Sequence, residues 1–320
     1  MTGEDWSPGP VLVVMDASDA AGSALDRGRR LAGATGARLE LFSCEFDQAM
    51  EGSHFRVTDR LQQARDALVH RRREELEAQA GPLREAGVDV STDVIYCNPR
   101  YEAIVRKAVQ CGAGMVVVPT HHHAWLDRAA LTATEWHLIR TCPVPLLLAK
   151  ARSWPSSPRW LAAVDPSHVD DRHARLDGAI LDVVEALSGA LGGKAWVAHC
   201  YLSMASLESA AAFPMMPEAL GSSAEDYAGD LVHQRRAAVL RVMEDRSLPA
   251  ASLRLAEGRP EEELPRLVED MEIDVLVTGA VSRSRLEQVF IGGTAERLLD
   301  RVSCDLLVVQ PPGFRTPVPA

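Results

Sequence analysis

At 320 residues, 47% hydrophobic and 25% charged, the chain is long and apolar enough to bury two separate cores. A formal net charge of −11 argues against nucleic acid or an anionic membrane as the main partner, since a phosphate surface needs a concentrated basic face. No run of about 18 apolar residues offers a bilayer span, and the start MTGEDWSPGP lacks a basic and apolar leader, so the expected location is cytoplasmic.

Taken in order, Val11 to Met15 reads as a first strand that ends at Asp16-Ala17-Ser18, and a helix follows to about Ala34, with Gly36 as its stop. Arg38 to Cys44 is a second strand, Glu45 to Val57 a loop, and Thr58 to Ala86 a long helix ended by Gly87. Gly81-Pro82 would kink or break its last turns. The basic triplet Arg71-Arg72-Arg73 is followed by Glu74, Glu75 and Glu77, which makes it a salt-bridged helix face. Val88 to Cys97 alternates as a third strand, Asn98-Pro99 opens a helix through Val109, and Met115 to Val118 is a fourth strand. A loop containing His121, His122 and His123 leads to a helix start at Thr134 and a fifth strand from Val144 to Ala149. Alternation of this kind specifies an α/β domain with a doubly wound parallel sheet.

The pattern then repeats. Ala151 to Arg159, rich in Pro and Ser, is a linker, so the expected domains are 1–150 and 151–320. Trp160 to Val164 with Asp165-Pro166-Ser167 repeats the first strand and its aspartate, and Ala195 to Cys200 repeats the second strand with its cysteine. An insertion from Tyr201 to Ser223 carries Phe213, Met215 and Met216, which would pack as core, cover the neighbouring domain or lid a ligand site. A helix from about Ala224 to Met243, a strand from Ala250 to Leu255 and a helix from Pro260 to Met271 follow. The last unit, from Asp274 to Pro312, is strand, glycine loop, helix and strand.

That last unit carries the chemistry. Gly279 ends an apolar strand and Gly292-Gly293-Thr294 begins a helix, so free N–H groups and the positive helix end can face a phosphate. Asp165, at the end of the first strand, either caps its helix or meets a ribose or adenine edge. In the first half Pro119 stands where Gly279 does, and Ala133-Thr134 replaces the glycines, so nucleotide is not expected there. The histidines suggest something else: Asp16 and Cys97, expected to end neighbouring strands at the same carboxyl edge, could form a tetrahedral zinc site with His121 and His123, although adjacent histidines also occur in plain solvated loops. Six cysteines without a C-x-x-C spacing suit buried, reduced thiols.

Taken jointly, the strand-Asp-x-Ser openings of both halves, Glu257-Gly258-Arg259-Pro260 before the third helix and Gly279-x-x-Ser282-x9-Gly292-Gly293-Thr294 resemble the tandem universal stress proteins. Thr134 to Leu138, Cys142-Pro143, Asn98 before Tyr101 to Ile104, and the tail Gly313 to Val318 are most similar to the E-type members. The resemblance implies two five-stranded parallel sheets of the adenine nucleotide alpha hydrolase-like fold, joined as an internal pseudo-dimer across their last strands. It implies ATP or ADP in the second domain, with Asp165, Pro166, Gly279, Ser282, Gly292, Gly293 and Thr294 as contacts. Ser282 departs from the second glycine of the nucleotide-binding pattern Gly-x-x-Gly-x9-Gly-Ser/Thr, and Gly293 from its hydroxyl residue; a Cβ at a positive-φ position would weaken binding by roughly 1 kcal/mol.

Three functions compete. The first is a regulatory stress protein that binds adenine nucleotide and signals to an unidentified protein partner, as a pseudo-dimeric chain or a homodimer. The second, an ATPase or phosphotransferase, lacks the phosphate-loop lysine and a carboxylate pair for magnesium. The third is a scaffold without nucleotide, or a binder of an amphipathic metabolite.

Overall fold

The computed structural model describes residues 9–16, 21–50, 59–120, 133–166, 171–202, 224–280, 298 and 301–319. The chain divides into one unit of residues 1–153 with 314–320, and another of residues 154–313.

In the first unit, strands β1 (Val11–Val14), β2 (Leu39–Glu45), β3 (Val90–Tyr96), β4 (Met115–Pro119) and β5 (Leu146–Ala149) alternate with helices α1 (Ala21–Thr35), α2 (Asp59–Glu85), α3 (Arg100–Cys111) and α4 (Ala133–Thr141). The sheet order is β3-β2-β1-β4-β5 and every pair is parallel. The central strands are buried at every residue, as VLVV in β1 and MVVVP in β4, because helices cover both faces of a doubly wound sheet. Helix α1 lies so close to β1 that a Cβ on Gly28 would sit 2.2 Å from Val13 Cγ2.

In the second unit, β6 (Arg159–Ala163), β7 (Lys194–Tyr201), β8 (Leu253–Glu257), β9 (Val275–Gly279) and β10 (Asp305–Val309) alternate with α5 (Asp171–Ala190), α6 (Ala224–Met243) and α7 (Pro260–Asp270). Here the order is β10-β9-β6-β7-β8, again with parallel pairs. Trp160 of β6 is wholly buried and meets Trp154 edge-on at 5.7 Å between ring centroids.

The glycine stops behave as read. Gly36 and Gly87 end α1 and α2 with φ of 70° and 85°, values that a residue with a Cβ rarely adopts. Two local readings change. Helix α2 continues past Pro82 to Glu85: proline lacks the N–H that would bond Ala78 O but keeps its carbonyl, which accepts Ala86 N–H at 3.1 Å. Ala250–Ser252 is a 3-10 turn, closed by Ser252 N–H on Pro249 O at 2.8 Å, and β8 starts only at Leu253. Among the described residues, no helix is long and apolar enough to cross a membrane.

Candidate nucleotide site at the carboxyl edge of the second sheet

Chain order and sheet order together mark one place. From β6 the chain proceeds outward through β7 and β8, then returns to the other side of β6 for β9 and β10. The reversal falls between β6 and β9, and in open parallel sheets the loops at the carboxyl ends of such a strand pair diverge and leave a crevice. Asp165 and Pro166 follow β6, and Gly279 closes β9. The second unit thus brings Asp165, Pro166 and Gly279 to the two strand ends that flank the switch point. Ser282, Gly292, Gly293 and Thr294 lie outside the described residues.

Asp165 is held by neighbours that sequence reading missed. Its backbone N–H donates to Asp177 Oδ1 at 3.0 Å, and its Oδ1 lies 3.7 Å from His199 Nδ1. His199, on β7 and 1% exposed, also has Nδ1 3.1 Å from Val164 O. A carbonyl only accepts, so Nδ1 carries a proton. Asp177 stands on the buried face of α5 with Leu176, Ile180, Leu181 and Val184. Burial pushes its carboxyl up, the Asp165 N–H pulls it back and the Asp165 carboxylate pushes it up again, leaving it raised to about 6. The available sequence cues were a lone aspartate on an apolar helix stripe and a histidine inside the apolar run of β7.

Gly279 acts differently from a loop glycine. A Cβ there would sit 2.6 Å from Leu176 Cδ2 and 3.1 Å from Leu176 Cγ, so its lack of a side chain lets α5 approach the end of β9.

The first unit has the same switch point, between β1 and β4, with Asp16 after β1 and Pro119 closing β4. Its polar support is different. Ser43 replaces His199 and bonds Met15 O at 2.7 Å, while Arg72 Nε reaches Ser43 Oγ at 3.1 Å and Glu45 Oε1 at 3.2 Å. An ion pair therefore stands beside the serine that takes the place of His199.

The zinc expectation is corrected in one respect. Asp16 and Cys97 do not end neighbouring strands: β2 stands between β1 and β3, which separates the two strand ends by about 10 Å. His121 and His123 lie outside the described residues, and among the described residues no group of three or more His, Cys, Asp or Glu side chains could hold a metal ion.

None of the six cysteines is in a disulfide. Burial pushes the Cys44 thiol up to about 12, with the Cys97 sulfur adding to the effect, and burial raises Cys142 to about 12 as well. At pH 8, iodoacetamide on the folded protein is therefore expected to label half-buried Cys97 while leaving Cys44 and Cys142 unmodified, as read by peptide mass spectrometry. Labelling of Cys44 as fast as Cys97 would contradict this packing.

Two doubly wound domains in tandem, each with an aspartate at its switch point, define a duplicated α/β protein. Residues 9–150 and 161–310 each match the model of the universal stress protein family, and the chain belongs to that family of stress-response proteins. Universal stress protein E of Escherichia coli K12 is 25% identical over 313 residues, covering 96% of both chains. The Salmonella typhi protein of the same name is 27% identical, also with 96% of each chain covered. Among solved structures, a functionally unknown protein of Pseudomonas aeruginosa PAO1 is 25% identical with a TM-score of 0.70, covering 96% of this chain and 94% of its own. A universal stress protein of Archaeoglobus fulgidus at 14% identity shares the fold, with a TM-score of 0.62 and coverage of 94% and 98%.

Proposed function

We propose that this chain is a regulatory stress protein that binds one adenine nucleotide, ATP or ADP, in its second unit and does not turn it over as an enzyme. One observation carries the reading: Asp165 follows β6 and Gly279 closes β9, the two strands on either side of the topological switch, where parallel α/β sheets bind ligands. Asp165 would accept hydrogen bonds from ribose hydroxyls or the adenine amine. Gly279 would lead the chain into the segment containing Ser282, Gly292, Gly293 and Thr294, whose backbone N–H groups suit phosphate. In the first unit Pro119 contributes no N–H at the corresponding position, which favours a single site per chain.

Calorimetry of the full chain with ADP tests this directly. The expected result is saturation at one nucleotide per chain, with Asp165→Ala weakening affinity about tenfold, the loss of one to two hydrogen bonds to a charged group. Two nucleotides per chain, or unchanged affinity in the Asp165 variant, would contradict the reading. Phosphate release well above the buffer rate would replace the regulatory reading with an enzymatic one.

A further inference from the structure

Asp177 is 6% exposed, sits on a helix face made of aliphatic side chains and has one oxygen, Oδ2, without a hydrogen-bond partner among the described residues. Packing alone would be served better by an apolar residue, because a buried acid costs desolvation that one N–H does not offset. Twelve residues beyond the strand-end aspartate the first unit has Gly28 where the second has Asp177, so the fold itself does not require the carboxyl group.

What the carboxyl group touches is the backbone of Asp165. We propose that Asp177 is a positioning residue of the nucleotide site, whose carboxyl group fixes the Asp165 backbone and carries the proton that nucleotide binding takes up. The inference rests on the nucleotide reading above. Oδ1 accepts the Asp165 N–H, which sets the direction in which the chain leaves β6. Burial holds the proton on Asp177, and the neighbouring Asp165 carboxylate adds to this by disfavouring a second negative charge beside it.

Among the described residues, the other charged groups around α5 do not cancel this effect. His199 of β7 approaches Asp165, and Arg246, beyond α6, is engaged by Asp182 at 2.7 Å and by Gly178 O at 3.0 Å. Thr278 and Gly279 of β9 are neutral, and among the described residues Asp165 is the one charged group that acts on Asp177. A polyphosphate arriving at this strand edge brings negative charge and removes water. Both changes favour the protonated acid. Binding therefore draws in a proton just above the midpoint of the free protein, and affinity falls as pH rises through that window, by at most about tenfold per pH unit for one proton.

The test is calorimetry of ADP binding from pH 5.5 to 8 in two buffers of different ionisation enthalpy, on the full chain and on Asp177→Asn and Asp177→Ala. The terminal phosphate of ADP titrates in the same range, so the readout is the difference between each variant and the parent. The parent is expected to take up a larger fraction of a proton than Asp177→Asn and to lose affinity about fivefold more between pH 6 and 8. Asp177→Asn, which keeps the acceptor for Asp165 N–H, should hold the low-pH affinity throughout, whereas Asp177→Ala should bind several-fold more weakly at every pH. Identical proton uptake in parent and Asn variant, with ADP bound by both, overturns the assignment of Asp177 alone. Absence of ADP binding in the parent overturns the nucleotide reading and this inference with it.

Discussion

Replacing Gly279 by alanine is expected to destabilise the second unit by roughly 1–3 kcal/mol, a typical cost of forcing an extra methyl into a filled core. The added Cβ would lie 2.6 Å from Leu176 Cδ2 and 3.1 Å from its Cγ, well inside contact distance. Neither partner can move cheaply. Gly279 is locked in register with Val309 across β9 and β10, and Leu176 is itself buried between α5 and the sheet. Shortening Leu176 to alanine should relieve the clash, so the double variant is expected to be less damaged than the two single effects predict, with a coupling of about 1–2 kcal/mol in urea unfolding. The same pair separates two roles for the glycine. If Gly279 serves packing, Gly279→Ala/Leu176→Ala keeps ADP affinity; if its bare backbone contacts phosphate, affinity falls despite the relieved strain. An unchanged unfolding midpoint in Gly279→Ala would remove the packing account.

Much of the architecture was legible in the residues, because the cues were local. Runs such as VLVV and MVVVP are apolar throughout and rich in valine, the pattern of strands buried on both faces. Gly36 and Gly87 marked helix ends because the left-handed turn there excludes most side chains. Strand order was harder. Asp16 and Cys97 looked like neighbours along one edge, yet the first crossover places β2 beside β1 and the next places β3 beyond it, so the two ends stand two strands apart. Sheet order is set by tertiary packing, which no window of residues displays. The support of the candidate site was hidden for a related reason. Asp177 interrupts the stripe formed by Leu176, Ile180, Leu181 and Val184, and His199 interrupts the apolar end of β7. Periodicity treats one polar residue on an apolar face as an exception. Only with α5 laid against β6 does Asp177 prove to be bonded to Asp165, the residue that the sequence did single out.

Asp177→Asn is expected to stabilise the nucleotide-free protein at pH 8 by as much as about 3 kcal/mol, since a shift from 3.8 to about 6 represents roughly two pKa units at 1.36 kcal/mol each. The sign follows from proton counting. Below about pH 4 the acid is protonated in folded and unfolded chains alike, so it contributes no pH-dependent penalty. Between about pH 4 and 6 the unfolded chain gives up its proton while the folded chain still holds it, and stability falls as pH rises. Above about 6 the folded protein bears the full cost of a buried charge next to Asp165. Asparagine keeps the acceptor for the Asp165 N–H and removes that cost, so its advantage should be near zero at pH 4 and reach a plateau above pH 7. In thermal unfolding, a unit of this size gains about 2–4 °C per kcal/mol, so the gain at pH 8 should be as much as roughly 6–12 °C. A gain of equal size at pH 4 and pH 8 would place the effect in packing and not in ionisation, and a loss at pH 8 would mean that the charged form is the one the fold prefers. The expected gain has a functional corollary: an asparagine at position 177 gives a sturdier protein, so the native acid lowers stability at neutral pH. A carboxyl group kept at that cost beside the switch-point aspartate is one whose proton answers to what binds there.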